Sequence, residues 1–159
     1  MSESNGRVSL HTAKPEINDR FAVYKLRVGR SKIHRWGVFA AEPIPRGRKV
    51  IEYTGEKISR RETKRRANER VQIYLFTLNS YWTVDGAAGG SGAEIINHSC
   101  EPNIESRILR DHILYYSLRE IRPGEELTID YRFGKDEERI PCRCGATACR
   151  GWMNLLNDD

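Results

Sequence analysis

No apolar run in this chain is longer than a handful of residues. The longest are Ile113 to Tyr116 and an interrupted stretch from Val71 to Leu78, whereas a helix that crosses a bilayer needs about 20 consecutive apolar residues. A membrane-spanning helix is excluded, and no apolar signal stretch implies secretion. Internal repeats and low-complexity tracts are absent too, which removes solenoids and tandem arrays from consideration. Cysteine is scarce, at four residues in 159, so those four carry information.

What is present fits one domain with a real core and ordinary globular composition apart from high charge. The charge is uneven. Residues 1–72 hold 18 Lys/Arg against 8 Asp/Glu and residues 73–159 hold 9 against 14, so halves of +10 and −5 lie within an overall +5. A basic half can meet a polyanion and an acidic half can receive a cationic protein segment, although most such asymmetry is solvated surface.

Short alternating segments bounded by Gly and Pro predict a mostly-β fold. Strands are expected over Phe21–Val28 (closed by Gly29), Gly37–Ala40, Lys49–Thr54, Tyr74–Leu78, Tyr81–Val84, Glu105–Leu109, His112–Leu118 and Glu126–Tyr131. Ser59 followed by Glu62 is a capping box, which predicts one helix to about Arg70. Seven cations between Lys57 and Arg70 invite a nucleic-acid reading. Glu62 with Arg66 and Arg65 with Glu69 are four apart, however, so a paired, solvated helix face is the better account.

Cys142, Cys144 and Cys149 form C-x-C-x4-C, and Cys100 is the one thiol left. Three clustered thiolates plus a distant fourth are the arithmetic of a tetrahedral Zn²⁺ site in an intracellular protein. Two disulfides or four unrelated reduced thiols are the alternatives. Gly145 to Ala148 are small enough for the backbone to wrap a metal, and Arg139, Arg143 and Arg150 would offset the negative charge of a four-thiolate centre.

Five segments then add up to a family. Arg30-Ser-Lys-Ile-His-Arg-Trp-Gly-Val-Phe-Ala40, Ile51-Glu-Tyr-Thr-Gly-Glu56, Ile96-Asn-His-Ser-Cys-Glu-Pro-Asn103, Gly124-Glu-Glu-Leu-Thr-Ile-Asp-Tyr131 and Cys142-x-Cys144-x4-Cys149-Arg-Gly-Trp152 follow one another in that order. Over about residues 21–154 the chain resembles the SET-domain protein-lysine methyltransferases with a post-SET zinc segment. The resemblance implies a SET fold of small curved sheets whose C-terminal segment threads beneath a loop, followed by a zinc-bound post-SET tail. It divides the chain into a flexible lead-in (1–20), a SET domain (21–134) and a post-SET segment (135–159). No cysteine-rich segment precedes Phe21, so a stand-alone monomeric core is expected.

The resemblance also implies an activity: transfer of a methyl group from S-adenosyl-L-methionine to the ε-amine of a lysine in a protein, a histone tail or another basic protein. It puts Tyr131 at the catalytic tyrosine, and Asn97 and His98 at the pair that holds the cofactor. His34 and Trp36 match the loop lining the methionine end, Tyr74 an aromatic beside the cofactor. It further implies one structural zinc on Cys100, Cys142, Cys144 and Cys149 that organises a lid. Location follows as nuclear or chromosomal in a eukaryote and cytoplasmic in a bacterium.

Three departures stand out. Arg35 replaces a glycine, Glu94-Ile95 replaces Arg-Phe, and Ile129 fills the position tied to the number of methyls added, where the lack of a hydroxyl argues for higher methylation states. The first two would be the warrant for a rival reading, a catalytically silent module that binds a lysine-bearing tail. A zinc-stabilised nucleic-acid module is the other rival, with no aromatic-interleaved basic strand to support it.

Overall fold

A computed structural model describes residues 13–70 and 74–157. Residues 1–12 of the expected lead-in lie outside the described residues, as do residues 71–73 of the apolar stretch. The rest of the lead-in is fastened down: Ile17 packs on the core, the Asn18 N–H donates to the Ser91 carbonyl at 2.8 Å, and the Asn18 side chain caps a 3₁₀ turn at Asp19–Phe21.

Three small sheets form the body. β1 (Leu26–Arg30) and β2 (Trp36–Ala40) make an antiparallel ribbon. In the second sheet β6 (Trp82–Asp85) lies between β4 (Glu56–Ser59) and β5 (Leu75–Thr77). The third holds β3 (Lys49–Tyr53), β9 (His112–Ser117), β8 (Ile104–Leu109), β10 (Thr128–Ile129) and β7 (Asn97–His98), in that spatial order. Among the described residues one α-helix occurs, α1 (Arg60–Glu69). The β-branched side chains that favour the pleat also fill the core: Ile44, Ile51, Ile104 and Ile121 are wholly buried, each stabilising the fold by roughly 1.5–3 kcal/mol relative to exposure.

The mostly-β expectation holds, with instructive shifts. β1 starts five residues later than Phe21 and runs through Gly29 instead of stopping there, because Gly29 pairs with Gly37 across the ribbon. A Cβ on Gly29 would stand 2.9 Å from the Arg27 guanidinium, which stacks on the Phe39 ring at 4.6 Å. β4 has only Ile58 buried, so no alternation announces it. The Glu126–Tyr131 strand shrinks to Thr128–Ile129, since Leu127 turns its N–H to the Val38 carbonyl at 2.7 Å and Glu126 bridges Phe39.

That short strand is the knot of the fold. β10 runs parallel to β7 on one side and to β8 on the other. Because β7 and β8 are joined by residues 99–103, the chain between them passes over β10, which is thus threaded beneath its own connection. Asn103 closes the passage: its Oδ1 accepts the Thr128 N–H at 2.8 Å and its Nδ2 donates to the Glu126 carbonyl at 2.9 Å. A 3%-exposed side chain here acts as a length of strand edge. Asn103→Ala would strand both backbone groups, at about 1–3 kcal/mol each. Chemical denaturation should show that loss, and a change below ~0.5 kcal/mol would contradict this role.

α1 is held by charge. None of its residues is buried, and Ser59 caps it by accepting the Glu62 N–H at 3.2 Å. The helix is fastened by Arg66 and Arg70, whose guanidiniums reach the fully buried Asp85 at 2.7 and 2.6 Å. Burial pushes the Asp85 carboxyl up, but the bonds from Arg66, Arg70 and the Ala87 N–H outweigh it and hold it below the usual range. A carboxyl lowered by folding contributes stability above its unfolded value of about 3.9, and that contribution fades as pH falls through the folded value. Asp85→Ala should therefore cost roughly 3–5 kcal/mol near neutrality. Urea titrations at several pH values should show its gap from wild type narrowing below about pH 4.

Candidate functional site

The threaded strand brings distant segments to one cleft of about 590 Å³, a volume suited to a small-molecule ligand. His34, Trp36, Tyr74, Asn97, His98 and Tyr131 all line it, and Cys142 and Cys144 form part of its far wall. Asn97 and His98 are paired backbone-to-backbone with Thr128 and Ile129, so Tyr131 follows two residues later on the same strand path.

Asn97 is the organiser of the cleft floor. Its amide group faces the His34 carbonyl at 3.2 Å, the Trp36 carbonyl at 3.0 Å and the Glu126 carboxylate at 2.9 Å. An amide nitrogen has two protons for these three acceptors, so the three share them. Glu126, which sequence reasoning passed over, also accepts from the Ser31 hydroxyl at 2.7 Å. Its carboxylate fills the space a Cβ on Gly37 would need, at 2.2 Å from that position, which explains the glycine. One carboxylate thus locks the Arg30–Ala40 loop to the Asn97 segment. The signal available in the sequence was the acidic pair after Gly124.

Arg35 takes φ +41°, the left-handed region where the glycine it replaces would be at ease. Glu94, at the second departure, lines the same cleft, accepts the Gly92 N–H at 2.8 Å and has its carboxyl pushed up by burial.

The Tyr131 hydroxyl donates to the Ile96 carbonyl at 2.8 Å, and its ring lies between His98 (5.3 Å) and Phe133 (5.5 Å). The residue lines the cleft and is 37% exposed; desolvation of the phenol, with Tyr74 and Glu126 adding, pushes it well above its ordinary value. Tyr53, Phe76 and Tyr115 form a second aromatic group with ring separations of 5.3 to 6.3 Å, and the Tyr53 hydroxyl donates to the Tyr74 carbonyl at 2.5 Å. Tyr53 and Tyr115 belong to strands that read as core, and nothing in their spacing separated them from it. Ile129 is buried in the core below.

The four cysteines meet although Cys100 is 42 residues from Cys142. All four sulfurs lie within 4.8 Å of one another, with Cys100 at 3.7 Å from Cys142 and 3.9 Å from Cys149. A tetrahedron with Zn–S bonds of about 2.3 Å has edges of about 3.8 Å, whereas disulfides need about 2.05 Å. The donor set fits zinc and all four cysteines are free. Gly145 and Gly151 turn the loop at φ +76° and +83°. Arg150, expected to offset thiolate charge, commits its fork to Asp130, with both bonds at 2.9 Å, so the lid is pinned to the residue before Tyr131.

Two cations of α1 are paired with acids, Arg65 with Glu62 and Glu69, and Arg66 with Glu56, Glu62 and Asp85. No described helix is long and apolar enough to cross a membrane.

Comparison with known proteins agrees with this geometry. The family profile described as SET domain matches residues 35–132. The chain is 39% identical over 144 residues to human histone-lysine N-methyltransferase SETD1A, covering 85% of this chain and 8% of that protein. It is 42% identical over 139 residues to the histone-lysine N-methyltransferase, H3 lysine-4 specific, of Schizosaccharomyces pombe, covering 82% of this chain and 15% of that protein. The chain therefore spans only a small part of the relatives it matches. Among solved structures, KRYPTONITE in complex with mCHG DNA and SAH superposes with a TM-score of 0.72 at 30% identity, over 83% of this chain and 29% of that one.

A four-thiolate site predicts about one zinc per chain by elemental analysis. Chelation, or Cys144→Ser, should loosen residues 142–152 and weaken ligand binding in the cleft while leaving the body folded, because the core strands have their own apolar packing. Hydrogen exchange would report the difference. Global unfolding of Cys144→Ser at room temperature would contradict it.

Proposed function

Because the chain belongs to the SET-domain family, we propose that it transfers methyl groups from S-adenosylmethionine to the ε-amine of lysine in a protein. The observation that carries this reading is the single cleft lined by Asn97, His98, Tyr131, Trp36 and Tyr74 and closed by the cysteine lid. S-adenosylmethionine, when bound, would supply a methyl on a sulfonium: the amine nitrogen–carbon bond would form in line as the sulfur–carbon bond breaks, with the neutral thioether as leaving group.

The chain's part is binding and positioning. The His34 and Trp36 carbonyls and, behind them, the Glu126 carboxylate gather around the Asn97 amide, a concentration of acceptors suited to the ammonium of the cofactor's amino-acid end. The Tyr131 proton is committed to Ile96, so its oxygen lone pairs are free to receive an amine N–H or a polarised methyl C–H. With its phenol pushed up, Tyr131 remains neutral and acts by orienting charge rather than by taking a proton. The substrate amine must enter uncharged; desolvation beside Tyr74 and Tyr131 and repulsion by a sulfonium both favour that form.

The substrate is a basic segment with an exposed lysine. Glu137 and Glu138 on the cleft's lid side offer it complementary charge. The relatives' names point to a histone tail, and hence to chromatin as the place of action. Arg65 and Arg66 of the basic helix are already paired with acids, which leaves those two less to offer a nucleic acid.

Tyr131→Phe keeps ring and packing, so cofactor affinity by calorimetry should be nearly unchanged while turnover falls roughly a hundredfold or more. Asn97→Ala should instead lose cofactor affinity, by about tenfold or more. Wild-type turnover should rise with pH by about tenfold per unit while lysine, with a free pKa near 10.4, remains mostly charged. A wild-type protein that binds no S-adenosylmethionine, or Tyr131→Phe at full rate on a verified substrate, would refute this reading.

A further inference from the structure

We propose that His98 is a positioning residue whose imidazole ties the zinc ligand Cys100 to the backbone of Tyr131, so that metal in the lid helps set where the Tyr131 hydroxyl stands. The proposal rests on the methyl-transfer reading for what Tyr131 does.

His98 is 1% exposed and its two ring nitrogens have different neighbours. Nδ1 accepts the Tyr131 N–H at 3.1 Å, so it carries a lone pair, and in a neutral ring the proton is then on Nε2. Nε2 stands 3.6 Å from the Cys100 sulfur, within reach for a hydrogen bond to sulfur. A thiolate that ligates zinc is an acceptor and suits that N–H. Asp130, the nearest carboxylate, lies 3.6 Å from Nδ1 and has both oxygens held by Arg150, so it does not compete for the ring proton.

The link is short and stiff. A planar ring joins a metal ligand at one corner to the Tyr131 backbone at another, and the Tyr131 ring itself packs 5.3 Å from the imidazole. The His98 backbone is held separately, by its ladder to Ile129. Side-chain replacements can therefore disconnect the link without unthreading the strand.

Two amide side chains divide the imidazole between them. Asn places its oxygen near the position of Nδ1, and Gln carries its nitrogen to the position of Nε2. In cobalt-substituted protein, His98→Asn should shift the thiolate-to-metal charge-transfer band to lower energy, because Cys100 loses an N–H. Zinc affinity should fall about 10–100-fold, the usual consequence of removing an outer partner of a ligand. His98→Gln should keep the band near its wild-type position. It should instead speed exchange of the Tyr131 amide proton by about tenfold, as the loss of one hydrogen bond implies, and lower turnover at saturating cofactor more than His98→Asn does.

Nitrogen-15 chemical shifts of the wild-type imidazole should place the proton on Nε2. A proton on Nδ1 would overturn the proposal, as would two variants that disturb metal band and Tyr131 exchange alike, or that disturb neither. Band, exchange and ring shifts are all read without substrate. Failure of methyl transfer in the wild-type protein would thus leave them standing, and the two ideas fail separately.

Discussion

Two residues of backbone, Thr128 and Ile129, are paired on both edges, and the site depends on that pairing. A strand that lies parallel to two segments already joined to each other can only be reached by passing under their connection. The His98 and Ile104 ladders, the bonds to Ser99 and Asn103, and the Asn103 side chain all converge on this passage. Parallel pairing normally needs a long crossover, and here the crossover is the entire stretch of chain between β7 and β10. Its consequence is chemical. Asn97, His98, Cys100 and Tyr131, otherwise more than thirty residues apart at the extremes, become neighbours without any of them lying on a long regular element.

Around that passage the helix and the C-terminal segment are fastened by charge and by the cysteine cluster. Helix α1 buries nothing and is attached through Asp85, a carboxylate whose two guanidinium partners return much of what burial costs it. The tail is attached twice, by the four cysteines and by the Arg150 fork on Asp130. Buried Asn154 adds a third tie, accepting from Ile140 and donating to the Gly134 carbonyl. Such contacts demand specific geometry and supply little apolar area.

The Arg30–Ala40 loop shows how a site tolerates a departure. Arg35 sits at a positive φ that costs an ordinary residue roughly 1 kcal/mol. Neighbouring bonds hold it there: Ser31 takes the Ile33 N–H at 2.9 Å and gives its hydroxyl to Glu126, whose other contact is Asn97. Strain at one residue persists because its surroundings are over-determined. The arginine becomes part of the cleft wall.

Alternation and turn residues were enough to read a mostly-β chain with one capped helix, since period-two burial and the Ser59–Glu62 box are local properties. Cysteine spacing was enough to pose the zinc question, and the ordered motifs marked the residues that line the cleft. Sequence could not decide between zinc and disulfides, because that depends on sulfur separations across 42 residues of chain. Nor could it reveal β4, Glu126 or Asn103, whose roles arise from what faces them in space. Ile58 is the single buried residue of β4, Glu126 looks like any acidic turn residue until Gly37 makes room for it, and Asn103 imitates a strand edge only beneath a threaded partner. Local patterning determined the elements and the chemistry they carry. Which atoms of those residues meet was decided by the passage of one short strand under its own loop, a long-range constraint that no local window contains.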